Sequence, residues 1–279
     1  MRRIMMVNVI SRSGQAMIED DVIWGLSFSV LGSSSSGNST LVTDGASSIL
    51  LDAGLPVRYT VKMVEKLTGS IQIDGIFVSH EHSDHTRNLF PLAKRFSCPV
   101  YVSPPVSWYL GSDHGAEMIE ITDGRPVAIG GMRITPFLVP HDAIDPFGFV
   151  VESDKGSLAL ITDLGTIDDR IVELLKNREG LVIESNHDVD MLMNGRYPGY
   201  LKRRIMDSKG HLSNKQCREL LEKVISPATR DIVLVHLSKE NNDPLLAIET
   251  SMEALEGLAS SSNLHISYPQ DPTSLFRLY

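Results

Sequence analysis

Cysteine is scarce. Cys98 and Cys217 are the two in 279 residues, too few and too far apart for a disulfide framework, a thiolate zinc site or a redox pair. They read as free thiols of a reducing compartment, so the expected location is cytoplasmic. Long apolar runs are absent as well. No segment reaches the ~18 apolar residues of a membrane span, and no apolar signal core follows Arg2 and Arg3. An excess of positive charge is the third absence. The chain holds 26 Lys and Arg against 35 Asp and Glu, a net charge of −9. The molecule as a whole therefore does not attract nucleic acid, and an anionic substrate needs a local field. What remains, 42% apolar and 22% charged residues, is ordinary for a globular protein with a sizeable core.

Residues 1–24 show no clean period and read as a poorly ordered extension. From residue 25 to 279 the pattern fits one domain. Leu26–Val30 alternates as a strand, and a Gly/Ser loop over 32–39 leads into another at 40–42. Further strands are expected at 48–52, 76–78, 99–102, 117–121, 126–129, 132–138, 147–152, 157–162, 181–183, 231–235 and 264–266. Helical spacing marks 57–67, 84–95, 104–110, 167–176, 188–193, 198–206, 213–225 and 243–258. A strand-rich stretch, a helix, a strand and a helix, followed by the same theme again, fit an α/β fold. Two β-sheets pack together with helices outside them, an αββα sandwich.

The chemistry concentrates in His80-Glu81-His82-Ser83-Asp84-His85. This follows the apolar run Ile76-Phe77-Val78, so the first histidine leaves a strand end and the rest sit on a tight loop. Three imidazoles and a carboxylate in six residues are metal ligands by type and spacing. One ion does not readily take all four groups from so tight a loop, whereas two adjacent ions can share them. Ordinary surface histidines are the competing explanation, and the density of the motif argues against it. Four more polar residues end strands: His141 after Phe137-Leu138-Val139, Asp163 after Leu160-Ile161, His187 after Ile183-Glu184, and His236 after Leu234-Val235. Strand ends on one sheet edge converge, and ligand sites collect there. His114 and His265 lack such a setting and read as surface or core.

These residues, together with GSSSSGNS (32–39), LDAG (51–54), PHDAIDPFGF (140–149), TDLG (162–165), ESNHD (184–188), GHLSN (210–214) and VHLS (235–238), resemble the metallo-β-lactamase fold superfamily. The chain is most similar to its bacterial YycJ/WalJ-type hydrolases, relatives of RNase Z and RNase J, from about Leu26 onward. The resemblance implies two divalent ions, zinc or manganese, with iron also compatible. His80, His82 and His141 would bind one, Asp84, His85 and His236 the other, and Asp163 would bridge. Asp52 would orient the cluster loop from behind the ligands. True β-lactamases of this fold lack the bridging carboxylate, which Asp163 supplies here.

The implied reaction is phosphodiester hydrolysis by a hydroxide held between the ions, with Asp84 handling its proton. His211 in GHLSN is the candidate proton donor to the leaving oxygen; a helix-cap role before Ser213 is its alternative. Lys202, Arg203, Arg204, Lys209, Lys215 and Arg218 stand against Asp207 in an otherwise acidic chain. That island, Lys202 and Lys209 in particular, is expected to meet phosphates, with Ser36, Asn38 and His187 gripping a terminal one. The chain has neither the inserted domain of RNase J nor the long arm of RNase Z. A 5′-to-3′ exonuclease acting on DNA ends fits best. Hydrolysis of a thioester, lactone or cyclic nucleotide is the enzymatic alternative, and a non-catalytic metal-bound signalling protein the third.

Overall fold

A computed structural model describes residues 25–112 and 114–278. The extension expected over residues 1–24 lies outside the described residues. Successive side chains on a strand point to opposite faces, and here both faces find apolar cover. In the strand Ser48–Leu51, Ile49 and Leu51 face one cluster and Leu50 another. In Asp231–Val235, Val233 and Val235 face inward while Ile232 and Leu234 face helices. That double burial explains why these runs are almost unbroken in apolar residues.

The first sheet contains β1 (Leu26–Gly32), β2 (Ser39–Thr43), β3 (Ser48–Leu51), β4 (Gly75–Phe77), β5 (Val100–Val102), β6 (Met118–Glu120) and β14 (Phe276–Leu278), in the order β14-β1-β2-β3-β4-β5-β6. The second contains β7 (Val127–Ile129), β8 (Met132–Leu138), β9 (Phe147–Ser153), β10 (Gly156–Ile161), β11 (Gly180–Glu184), β12 (Asp231–Val235) and β13 (Asn263–Ile266), ordered β13-β12-β11-β10-β9-β8-β7. Phe28, Phe77, Phe149, Val182 and Val233 belong to the core between the sheets. Apolar side chains of α1 (Val57–Thr68), α3 (Leu89–Phe96) and α4 (Pro104–Leu110) cover the outside of the first sheet. Those of α5 (Asp169–Leu175), α8 (Asn214–Val224) and α9 (Pro244–Gly257) cover the second. The expected αββα sandwich of two mixed sheets is therefore present. Cys98 and Cys217 are buried free thiols, and among the described residues no helix is long and apolar enough to cross a membrane.

Two local expectations need correction. The helix expected over 84–95 is two helices, α2 (Ser83–Thr86) and α3, broken at Asn88. Asn88 gives its backbone N–H to Ala53 (3.0 Å) and its side-chain amide to Gly54 (3.1 Å), so it ties the cluster loop to the end of β3 and leaves the helical ladder. The last strand is β14 rather than β13. Phe276–Leu278 carries almost no strand signal of its own, and pairing with β1 (Leu26 with Leu278, Phe28 with Phe276) makes it one.

Candidate metal centre

Strands β3 and β4 run parallel in the first sheet and β10, β11 and β12 in the second, and residues just beyond their carboxyl ends come together. The loops leaving those ends carry the polar residues. The cluster loop is stitched down by backbone bonds: Asn38 N–H to Asp84 O (2.8 Å), Ala53 N–H to His85 O (2.8 Å) and Gly54 N–H to Asn38 O (3.0 Å). A Cβ on Gly54 would lie 1.7 Å from the Asp84 carbonyl oxygen, so only glycine permits this approach. Asp52 (φ 64°) and His236 (φ 56°) adopt left-handed backbone. Non-glycine residues are held there where surrounding contacts over-determine them, often at functional sites.

Ligand-type atoms of His80, His82 and His141 lie within 4.8 Å of one another, and so do those of Asp84, His85 and His236. Asp163 stands between the two groups. Its Oδ1 is 3.1 Å from His236 Nδ1 and 3.8 Å from His141 Nε2, and its Oδ2 is 3.2 Å from His85 Nε2. All seven residues singled out as ligands thus converge, and either triad could hold a divalent ion.

The hydrogen bonds support cation binding. His85 Nδ1 lies 2.7 Å from Asp52 Oδ2, and His141 Nδ1 lies 3.1 Å from the Gly210 carbonyl. His236 Nδ1 is 3.0 Å from Glu184 Oε1. Each ring therefore donates from Nδ1 and turns the Nε2 lone pair inward, as in carboxylate–histidine–metal arrangements. The inward atoms His141 Nε2, His236 Nε2 and Asp163 Oδ2 are buried without hydrogen-bond partners. Such orphans cost about 1–3 kcal/mol each, and a divalent ion at each triad would satisfy them. His80 Nε2 and His82 Nδ1 are 3.0 Å apart, near the roughly 3.3 Å between neighbouring tetrahedral ligands at Zn–N distances of about 2.0–2.1 Å.

The electrostatics agree. Burial opposes ionisation of Asp84, but His236 and His85 beside it hold its carboxyl below the usual range. Asp163 behaves the same way: burial is overcome by His236 and His85. Burial alone would discharge His85, yet Asp52 and Asp163 raise it; for His236 burial is likewise outweighed, by Asp163. Four buried or half-buried carboxylates, Asp52, Asp84, Asp163 and Glu184, thus demand positive charge at this point. Protons on the two rings can supply it, and so can divalent ions. His80 is lowered by burial and by neighbouring His85, which leaves its lone pair free for a metal.

Asp52 sits where the sequence placed it. Its Oδ1 accepts from Ser79 N–H (2.8 Å) and its Oδ2 from Ser79 Oγ (2.9 Å) and His85, so it fixes both the loop start and a ligand ring. His211 also joins the site. Its Nδ1 lies 2.7 Å from Glu184 Oε1 and 3.5 Å from Asp163 Oδ1. Against burial, Glu184 and Asp163 raise it above an ordinary histidine. Glu184 is the residue sequence reading passed over. It is fully buried, with Oε2 accepting from Leu164 N–H (2.9 Å) and Leu212 N–H (3.0 Å). Its Oε1 serves both His211 and His236. The available signal was a carboxylate ending β11 beside three other strand-end ligands.

The expected phosphate contacts differ. A cleft of about 260 Å³ opens over the donors, bounded by Ser35, Asp142, Tyr197, Arg204 and His211 among others. Ser36, Asn38, His187, Lys202 and Lys209 do not line it. Asn38 is buried, with its amide nitrogen 3.0 Å from Asp84 Oδ2 and 3.1 Å from His85 Nε2, so it positions ligands. Lys202 Nζ is taken by the carbonyls of Met193 (2.7 Å) and Gly195 (2.8 Å). His187 is buried, and Ser36 is exposed next to Ser35, which does line the cleft. Of the basic island, Arg218 pairs with Glu253 and Glu222 while Arg204 reaches the cleft. His114 stacks on Phe90, and His265 binds Asp231 at 3.1 Å.

A family model described as a beta-lactamase superfamily domain matches residues 47–237. The chain is 35% identical over 261 residues to an exodeoxyribonuclease YycJ of Bacillus anthracis, covering 90% of this chain and 98% of the relative. It is 34% identical over 238 residues to an exodeoxyribonuclease WalJ of Streptococcus pneumoniae, covering 83% and 88%. In fold it resembles the metallo-beta-lactamase fold protein YhfI of Bacillus subtilis, with a TM-score of 0.67 at 18% identity, covering 89% and 99%. Sequence, fold and donor geometry agree: the chain belongs to the metallo-β-lactamase superfamily as a metal-dependent hydrolase akin to the YycJ/WalJ group.

Proposed function

We propose that residues 25–279 act as one unit, a cytoplasmic exonuclease that removes nucleotides from DNA ends in the 5′-to-3′ direction. The observation that carries this reading is the placement of His211, held by Glu184, in the lining of a cleft that also holds donors of both metal-ligand triads. The exodeoxyribonuclease names of the relatives, which this chain matches over nearly their whole lengths, agree with it.

His80, His82 and His141 would hold one divalent ion and Asp84, His85 and His236 a second, with Asp163 shared; the donor set suits zinc or manganese, and iron is compatible. When bound, such a pair activates water and offsets the negative charge that builds on a phosphodiester. The remaining work falls to the chain. Asp84, steadied by Asn38, accepts a proton from the attacking water. His211, kept protonated by Glu184, donates one to the leaving oxygen. The cleft, at about 260 Å³, is below the roughly 300–1,000 Å³ of ordinary small-molecule pockets. It suits a strand end better than a duplex.

The test is to strip the protein, reload it with Mn²⁺ or Zn²⁺, and offer 5′-phosphorylated single- and double-stranded DNA and RNA. A thioester and bis-p-nitrophenyl phosphate are run beside them, with Asp84→Ala as control. Metal-dependent nucleotide release by the wild type alone supports the reading. Thioester turnover without nucleic-acid cleavage overturns it in favour of a small-molecule hydrolase. Two bound metals with no turnover of any substrate favours a signalling role.

A further inference from the structure

Beyond the metal donors and His211, the cleft has further chemistry in its lining. Tyr197, Leu201, Arg204 and Ile205 line it. They lie in and just before α7 (Gly199–Ile205). Arg204 is the one lysine or arginine among the lining residues, and Tyr197 the one aromatic besides histidine.

Arg204 is already posed for an oxyanion. Its Nε lies 2.6 Å and its Nη2 3.1 Å from the two carboxylate oxygens of Asp142, the residue after His141. This planar fork is the geometry with which arginine also grips phosphate. The Arg204 side chain is 60% exposed and that of Asp142 33%. So exposed a pair is weak enough to be exchanged. Within the cleft lining Arg204 offers the one permanent side-chain cation, and Asp142 neutralises it until a phosphate takes the carboxylate's place.

The wall is fixed relative to the chemistry. His211 N–H donates to the Ile205 carbonyl at 2.9 Å. A Cβ on Gly210 would lie 2.1 Å from that same oxygen, so the end of α7 packs directly on the loop bearing His211. Arg204 therefore stands at a set position beside His211, and Tyr197 lines the same cleft. Basic groups interleaved with an aromatic ring are how proteins hold single strands, because every base has a face to stack.

We propose that Arg204 and Tyr197 form the subsite for the nucleotide next to the scissile bond. The guanidinium exchanges Asp142 for a backbone phosphate, and the Tyr197 ring stacks on the base. This rests on the nuclease reading above and requires the strand end held in the cleft to be unpaired there.

The experiment measures binding of a 5′-phosphorylated, phosphorothioate-protected single strand to the metal-loaded protein by fluorescence anisotropy across salt concentrations. Arg204→Ala is expected to weaken binding about tenfold and to flatten the slope of log affinity against log salt by about 0.7. Tyr197→Ala is expected to weaken it about tenfold without changing the slope, and Tyr197→Phe to restore it. In turnover, the kcat/KM of both alanine variants should fall at least tenfold further on single-stranded DNA than on bis-p-nitrophenyl phosphate. A wild type that binds and cleaves DNA while Arg204→Ala keeps its affinity and salt slope overturns the subsite and leaves the nuclease reading standing. Equal losses on both substrates, with a lowered melting temperature, would make the wall structural and also overturn it. A wild type that hydrolyses bis-p-nitrophenyl phosphate but neither binds nor cleaves DNA removes the nuclease reading itself.

Discussion

Glu184 Oε1 lies 2.7 Å from His211 Nδ1, and the same oxygen lies 3.0 Å from His236 Nδ1. One buried carboxylate thus orients both a candidate proton donor and a candidate metal ligand. Its other oxygen is held by two backbone N–H groups, so it cannot turn away.

Glu184→Gln keeps the shape and removes the charge. Burial works against the His211 cation and Glu184 restores it, so the variant's His211 should lose its proton at lower pH. A general acid works only while protonated. The alkaline fall of kcat should therefore move to lower pH in Glu184→Gln, and His211→Ala should cost kcat about 100-fold or more. A pH–rate profile on DNA checks both. An unmoved alkaline limb in Glu184→Gln would rule out His211 as the acid held by this carboxylate.

Asp52 touches no substrate-facing surface, yet it holds His85 and the backbone of Ser79. Carboxylates behind a ligating histidine typically contribute 10–100-fold to metal affinity. Asp52→Ala should weaken metal binding by about that factor while the fold persists. Competition with a chromophoric chelator measures it, and unchanged affinity would show that the ring is oriented by packing alone.

Gly54→Ala places a methyl group 1.7 Å from the Asp84 carbonyl oxygen and 2.8 Å from Asn38 N. Backbone lies on both sides, so no side chain can swing aside. The variant should lose about 3 kcal/mol of stability or more, together with metal retention, because Asp84 must move. Urea denaturation and metal analysis of the purified variant test this. Wild-type stability with full metal content would contradict the close approach.

Burial lowers His187 to about 4, against a smaller opposing pull from Glu184, whereas an unfolded histidine titrates near 6.5. Between those values the unfolded chain binds the extra proton. Stability from this group is present above about pH 6.5 and is lost as pH falls toward 4, by roughly 3 kcal/mol in all. His187→Gln should flatten the dependence of unfolding free energy on pH across that window. Parallel wild-type and variant curves from pH 7 to 4 would refute the assignment.

Spacing along the chain was enough to mark the metal donors as a group. The 80–85 cluster is local, and the strand-end positions of His141, Asp163 and His236 follow from nearly continuous apolar runs that must be buried on both faces. The two-sheet architecture was legible for the same reason. The break at Asn88 was not, because Ala53 and Gly54, distant in sequence, claim its hydrogen bonds. Strand β14 was not, because its partner β1 lies at the other end of the described chain. Charge density alone favoured Lys202 as a phosphate contact. Only the folded chain shows its ammonium capping the carbonyls of Met193 and Gly195 while Arg204 faces the cleft with Asp142. Glu184, too, gained its role from strand register, which sets β11 beside β12 and its histidine. Residue type and spacing determined which groups can bind metal. Tertiary packing decided which carboxylate orients which ring and which cation is left for substrate, since hydrogen bonds between distant segments exist only once the segments meet.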